Sequence, residues 1–474
     1  MGVTFSTLLW AADEPMEVPF QDQLTQQAPV SSVVDLPRLP ELFVLALEND
    51  SDLASQRYEL QATEEEVDKA WSQLKPQVSA SGGYSYQESD NYYTNNPDYD
   101  PSNEFRSSDD EARYEGQTRD VNWQVSLSQP LFSVERWRGV DKAESQVEAA
   151  RLQVAVGENK LAMSLVEAYL NAFLASRKVG LLEAKRESLA LQHRQASRSY
   201  ELGVGDRLNV LESQSRLDQA VADRIQAENE LEDALGELER LTGQRLAFGQ
   251  SLGDLRSVEL AEVAGNVDEW LPRTADNLEV VLASRRLGLA EADTDVRRGG
   301  YYPEVSLNLS YSDRDSNDPY RVSQDGRASV QLELPIYRGG YTSANVRQGE
   351  LSSLAREASL TNARRLARQQ VRESLRNIAG SRRQLNALGR SIDSSRLFLE
   401  AAEKGEQLGL RDLVDVLDAR AELYDLRIQY VDTVREYLLE RLKLEVAVGD
   451  LGSDDLVRTM VTLQAMARTS EQDG

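Results

Sequence analysis

The chain has 474 residues, a formal net charge of -27, no cysteine and one histidine. Without cysteine there are no disulfides, thiolate metal sites, cysteine nucleophiles or lipid-anchored N-terminal cysteine, and His193 alone cannot supply a multi-histidine zinc centre or a Ser-His-Asp triad. The acidic balance repels nucleic acid, and no run approaches the roughly 20 apolar residues of a membrane-spanning helix, which leaves a β-barrel open because its strands alternate.

Val3 to Ala12 reads like the apolar part and cleavage end of a secretory signal. No Lys or Arg precedes Arg38, and neither Leu9 nor Trp10 is the small residue wanted two positions before a cut. Residues 1–12 are therefore read as a truncated or misassigned signal remnant, with an unstructured start as the alternative, and 13–38 as a proline-rich linker.

Proline divides the rest of the chain, because it breaks helix interiors and is kept out of central strands. It is absent from Leu131 to Leu271 and from Ile336 to the end, two tracts rich in Ala, Leu, Glu, Gln and Arg. Leu161, Leu165, Ala168 and Ala172, then Leu231, Leu235, Leu238 and Leu241, recur at helical spacing in the first tract. Leu413, Leu417, Tyr424, Ile428, Val431, Leu438, Leu442 and Val446 do so in the second. Each tract turns once, at Leu202-Gly203-Val204-Gly205 and at Leu408-Gly409-Leu410-Arg411, with Asp206 and Asp412 placed to cap the next helix. These are helical hairpins; an unbroken helix from Glu135 to Glu201 would be roughly 100 Å long.

Two strands precede each hairpin. Val78, Ala80, Gly82, Tyr84 and Tyr86 alternate with polar or small residues, as do Val121, Trp123, Val125 and Leu127. Val305, Leu307, Leu309 and Tyr311, then Ala328, Val330, Leu332, Leu334 and Ile336, repeat the pattern. Each is near the 9 to 11 residues that cross an outer membrane when tilted, and the acidic stretch Gln87 to Arg119 suits an extracellular loop. A soluble sheet with one polar face is the alternative.

The order helix, strand, strand, long helix, turn, helix occurs twice. Pro76-Gln77-Val78-Ser79 matches Pro303-Glu304-Val305-Ser306, and Pro130-Leu131-Phe132 matches Pro335-Ile336-Tyr337. Gly203, Asp206, Asn209, Val210 and Leu211 match Gly409, Asp412, Asp415, Val416 and Leu417. The chain is an internal duplication, with repeats at 39–250 and 251–455 and a tail at 456–474. Four strands cannot close a barrel, and open edges cannot face lipid, so several copies must contribute. Arg356, Arg364, Arg365, Arg368, Arg372, Arg376, Arg382 and Arg383 form a basic run expected to meet acidic neighbours in a bundle.

The duplicated plan, the Pro-x-Val-Ser strand openings and the stretch Val414-Asp415-Val416-Leu417-Asp418-Ala419 resemble the TolC outer-membrane efflux family over nearly all of 39–455. The resemblance implies an α+β membrane protein. Four transmembrane strands per protomer would form a 12-stranded barrel in a homotrimer embedded in outer-membrane lipid, above a periplasmic helical barrel. It also implies a passive exit duct, gated at its periplasmic tip, for tripartite efflux or type I secretion. The partners would be a periplasmic adaptor and an inner-membrane transporter of RND or ABC type. No enzyme activity, cofactor, structural metal or nucleic-acid partner is expected.

The family's entrance acids fall on Asp415 and Asp418, where a trimer would ring the pore and cations would bind and block. On the residues alone they also read as helix-start carboxylates that complement the dipole. The family's gate arginine falls on Arg411; the gate tyrosine position holds Glu406, and the partner threonine and aspartate positions hold Leu208 and Asn209. Gly203, Val204, Gly205, Gly409 and Leu410 would be the tips that an adaptor grips. A soluble coiled-coil scaffold or a surface adhesin is the competing reading; the first leaves the strands unused and the second leaves the duplication unexplained.

Overall fold

The computed structural model describes residues 38–92, 113–248, 263, 265–317, 321–449 and 457. The signal-remnant reading and all of the linker before Arg38 lie outside these residues, as do the tip of the acidic loop and nearly all of the tail.

The elements repeat in order, and the longer helices repeat in length. Helix α1 (Leu39–Asn49) and helix α2 (Ser51–Ser72, 22 residues) lead into strands β1 (Gln77–Tyr92) and β2 (Arg113–Ser133). Helices α3 (Val134–Glu201, 68 residues) and α4 (Arg207–Thr242, 36 residues) close the first repeat. The second opens with a short turn, α5 (Val267–Trp270), a 3-10 turn (Leu271–Ala275) and α6 (Leu278–Gly299, 22 residues). It continues with β3 (Glu304–Ser316), β4 (Ser323–Glu333), α7 (Tyr341–Gln407, 67 residues) and α8 (Leu413–Val448, 36 residues). The pairs α2 and α6, α3 and α7, and α4 and α8 agree to within one residue, as duplication requires. No helix among the described residues is long and apolar enough to cross a membrane.

The compact units do not follow the repeats. One takes the described residues to Gln56, Val154–Val281 and those from Ala363 onward; the other takes Arg57–Gln153 and Leu282–Asn362. Each draws equivalent segments from both halves.

In the second unit the four strands form one antiparallel sheet in the order β1-β2-β3-β4. The register sets Val78 against Leu127, Ala80 against Val125, Leu127 against Leu309 and Leu309 against Ala328, so the apolar residues share one face. That face is exposed: Val78, Tyr84, Val121, Trp123, Tyr311, Val330 and Leu332 all reach the surface. Trp123 and Tyr311 rings meet on it, 5.4 Å apart. The opposite face is polar, with Ser79 and Ser126 hydroxyls 2.8 Å apart and Ser128 donating to Asn308 at 3.0 Å.

The strands depart from the sequence expectation at their ends. Backbone pairing carries β1 and β2 without a break to Tyr92 and Arg113, inside the stretch expected to be loop. Once two chains run side by side, their amide bonds continue whatever the side chains are. β4 stops at Glu333, three residues before Ile336, because Pro335 has no amide proton to donate. In β2 the ladder absorbs Pro130 through a register shift between Pro130 and Phe132.

In the first unit the long helices pack through single stripes. Val179 and Leu182 of α3 meet Ala227 and Leu231 of α4, with Ile428 of α8 against them. Leu189, Ala220 and Leu417 join α3, α4 and α8 nearer the turns, and Ala402 of α7 packs on Val416 and Ala419 of α8. Along α7 in this unit the buried residues recur at three-to-four spacing from Ala367 to Ile392, and most of the other positions are exposed. Arg364, Arg365, Arg368, Arg372 and Arg376 are exposed, with no acidic partner among the described residues. Within one copy, then, these arginines meet no acidic neighbour among the described residues.

Candidate functional site

The two hairpin turns lie in the first unit and are built alike. At the first, Gly203 has φ +74, a conformation costly for any residue with a Cβ, and Val204 and Gly205 both donate to the Ser199 carbonyl at 3.0 Å. A Cβ on Gly205 would stand 2.8 Å from the Tyr200 amide nitrogen, so the second glycine is required by close approach. Asp206 caps α4 by accepting from the Leu208 amide at 3.2 Å.

At the second turn Gly409 has φ +70, and Leu410 donates to the Gly405 carbonyl at 2.8 Å. Asp412 occupies the N-cap position of α8 but its side chain makes no cap bond; only its carbonyl engages, accepting from the Asp415 amide at 3.1 Å. The two turns thus differ at a position where the sequence reads the same. Both tips present bare apolar side chains: Leu202, Val204 and Leu208 on one, Leu408 and Leu410 on the other, with Val204 82% and Leu410 77% exposed.

The charged residues behind the tips are paired. Arg411 donates to Asp415 at 3.3 Å across the first turn of α8, and its guanidinium lies 5.7 Å from the centre of the Phe398 ring. Gly405 leaves room for it, since a Cβ there would meet the Arg411 Cγ at 2.9 Å. Among the described residues, Arg411 makes no bond to Asn209 or Glu406, the partners considered from the sequence. Asp418 accepts from Arg216 of α4 at 2.5 Å, and Arg216 also bonds Glu212 at 3.0 Å. Each candidate entrance acid therefore carries its own arginine inside the protomer.

Further along the helices, Arg420 of α8 ties Glu403 of α7 to Ser188 of α3, and the buried Lys185 of α3 reaches Asp425 of α8 at 2.9 Å. On the α3–α4 side, Lys178 donates to Glu230 at 2.7 Å and holds its carboxyl below the usual range. Arg186 does the same for Glu183. His193, the one histidine, bonds Ser213 at 3.1 Å and serves the α3–α4 packing.

Sequence reasoning missed Arg216, Phe398, Gly405 and the Arg420 bridge. Arg216 and Asp418 stand 202 positions apart. The one local signal is Glu212 four residues before Arg216, which reads as an ordinary helix pair. Gly405, in the last turn of a helix, is the only one of the four that composition alone marks as unusual.

The profile of the family described as outer membrane efflux protein matches residues 42–244 and 274–450. Outer membrane protein TolC of Vibrio cholerae is 26% identical over 435 residues, 90% of this chain and 94% of that one. Alkaline protease secretion protein AprF of Pseudomonas aeruginosa is 27% identical over 340 residues, 70% of each chain. The CmeC outer membrane channel of Campylobacter jejuni superposes with a TM-score of 0.72 at 16% identity, over 99% of this chain and 98% of that structure.

Proposed function

The chain belongs to the family of outer membrane efflux proteins, and on that premise we propose that it is an outer-membrane channel in which three copies build one pore. The observation that carries this reading is the sheet. It has two unpaired edges, β1 and β4, an exposed apolar face and a polar face of Ser, Asn and Gln side chains. Every unpaired backbone group in hydrocarbon costs several kcal/mol, so such a sheet is stable in lipid only when β4 of one copy pairs with β1 of the next. Three copies give twelve strands, with the apolar face outward and the serine-rich face lining water.

The helices then line the periplasmic part of the duct, with the two turns at its entrance. Leu202, Val204, Leu408 and Leu410 suit docking of an adaptor's apolar helical tip, and a transporter in the inner membrane supplies the energy. Asp415 and Asp418 form the entrance ring, their negative charge offset at rest by the paired Arg411 and Arg216. Opening that separates these pairs unmasks carboxylates toward the passage, so cation preference and divalent block accompany the open state. Both secretion and efflux proteins stand among the similar chains, and the cargo class is accordingly exported solutes or proteins.

Native mass in detergent tests the assembly. Three chains per particle are expected. A monodisperse monomer that retains its helical content would remove the shared barrel, and the channel with it.

A further inference from the structure

In the first unit α7 and α4 both carry long exposed faces: α7 packs on α8 at Ala402, and α4 packs on α3 and α8. The two helices carry opposite charge. From Ala363 to Gln407 α7 has ten basic and five acidic residues, whereas α4 has four basic and nine acidic. On α7 a stripe at seven-residue spacing reads Arg383, Arg390, Leu397, Lys404, all exposed. On α4 a stripe at the same spacing reads Asp218, Ile225, Glu232, Glu239, also all exposed.

Contacts within the protomer fix the relative heights of the two stripes. Glu403 of α7 is bridged through Arg420 to Ser188 of α3, and the next residue, Leu189, packs on Ala220 of α4. Ala402 beside Glu403 also packs on Val416 and Ala419, between which Leu417 packs on Ala220, so Glu403 and Ala220 stand at about the same height. Leu397, Arg390 and Arg383 lie six, thirteen and twenty residues before Glu403; Ile225, Glu232 and Glu239 lie five, twelve and nineteen residues after Ala220. Lys404 and Asp218 lie one residue beyond Glu403 and two before Ala220. Both helices rise about 1.5 Å per residue, so each pair stands within one helical step of the same height.

A rotation about an axis along the bundle preserves height, so this register passes unchanged to a neighbouring copy. Resting on the trimeric reading above, we propose that the α7 stripe of each copy docks antiparallel on the α4 stripe of the next. Lys404 meets Asp218, Leu397 meets Ile225, Arg390 meets Glu232 and Arg383 meets Glu239. Three opposite charges and one apolar pair then face each other, with Leu397 62% and Ile225 49% exposed until they do. The seam is heterologous, since different faces meet, and such an interface closes into a ring when the rotation permits.

Existing partners leave these groups available. Arg390, Lys404 and Glu239 have no side-chain partner among the described residues, Asp218 accepts only from Gln214, and Arg383 donates only to the Ala379 carbonyl. Glu232 meets Arg245 at 3.4 Å on open surface. Glu239 also sits in the last turn of α4, where a negative charge opposes the helix dipole and is better placed beside a cation from outside.

The absence of cysteine gives a clean background for the test. The Arg383→Cys, Glu239→Cys double variant, treated in detergent with a short bifunctional thiol reagent, should yield covalent dimers and trimers. Each single variant should yield neither, and mixing the two singles in one cell should yield dimers only. The mismatched pair Arg383→Cys with Asp218→Cys, about 30 Å out of register, should not link. In parallel, Arg383→Glu with Arg390→Glu should lower the trimer fraction at least tenfold, and adding Glu232→Arg with Glu239→Arg in the same chain should restore it. A native trimer that conducts but neither cross-links nor responds to the reversals overturns the seam and leaves the channel standing. A wild type that is monomeric overturns both.

Discussion

Replacing Arg216 by Gln should make the channel more cation-selective without unfolding it. Arg216 bonds Asp418 at 2.5 Å and Glu212 at 3.0 Å, but its side chain is 39% exposed and that of Asp418 is 56%. Pairs so open to solvent contribute about 0–1 kcal/mol to stability, so the helices stay folded. The electrostatic effect on a permeating ion is larger because symmetry multiplies it. One charge at roughly 8 Å in water acts with about 0.5 kcal/mol, and screening at physiological salt reduces this to about a third. Three copies together give about 0.6 kcal/mol in favour of a cation and as much against an anion, about 1.2 kcal/mol between them, which at 1.4 kcal/mol per decade is a roughly sevenfold rise in cation over anion permeability. The reversal potential across a planar bilayer under a KCl gradient measures it. Asp415→Ala with Asp418→Ala should shift the same potential the other way and weaken divalent block. An Arg216→Gln channel whose reversal potential matches wild type would refute the placement of Asp418 at the passage.

Other expectations concern stability. Leu417 is fully buried between α3, α4 and α8, so Leu417→Ala should cost about 2–5 kcal/mol in denaturant unfolding, as for a core cavity. Gly203→Ala places a Cβ at φ +74 and should cost about 1–2 kcal/mol, seen as a lower Tm. Lowering pH should weaken the α3–α4 hairpin. Lys178 and Arg186 hold Glu230 and Glu183 below their ordinary pKa values, so their stabilisation is complete above the unfolded carboxylate value of about 4.3 and is lost as pH falls through the lower folded values. Melts from pH 7 to pH 3 should show a steeper loss for wild type than for Glu230→Gln; equal slopes would mean the pair contributes nothing.

The architecture was legible because it rests on periodicity. Leu161, Leu165, Ala168 and Ala172 mark a helix face and are all buried. Val121, Trp123 and Val125 mark a strand face and stand together on the sheet. Glycine and proline placed the turns for steric reasons that hold in any context. What escaped depends on distance or on backbone pairing. Arg216 finds Asp418 across two helices, and no local spacing announces it. Tyr92 and Arg113 pair because their strands already run together, with no apolar pattern to show it. Asp412 reads like Asp206, yet its side chain leaves the cap unmade and only its backbone carbonyl accepts from the Asp415 amide.

The central claim is that copies of this four-stranded sheet close around water. Single-channel conductance of the purified protein in a planar bilayer tests it most directly: discrete, cation-preferring openings of uniform size are predicted, and a protein that inserts without conducting, or never inserts, would contradict it.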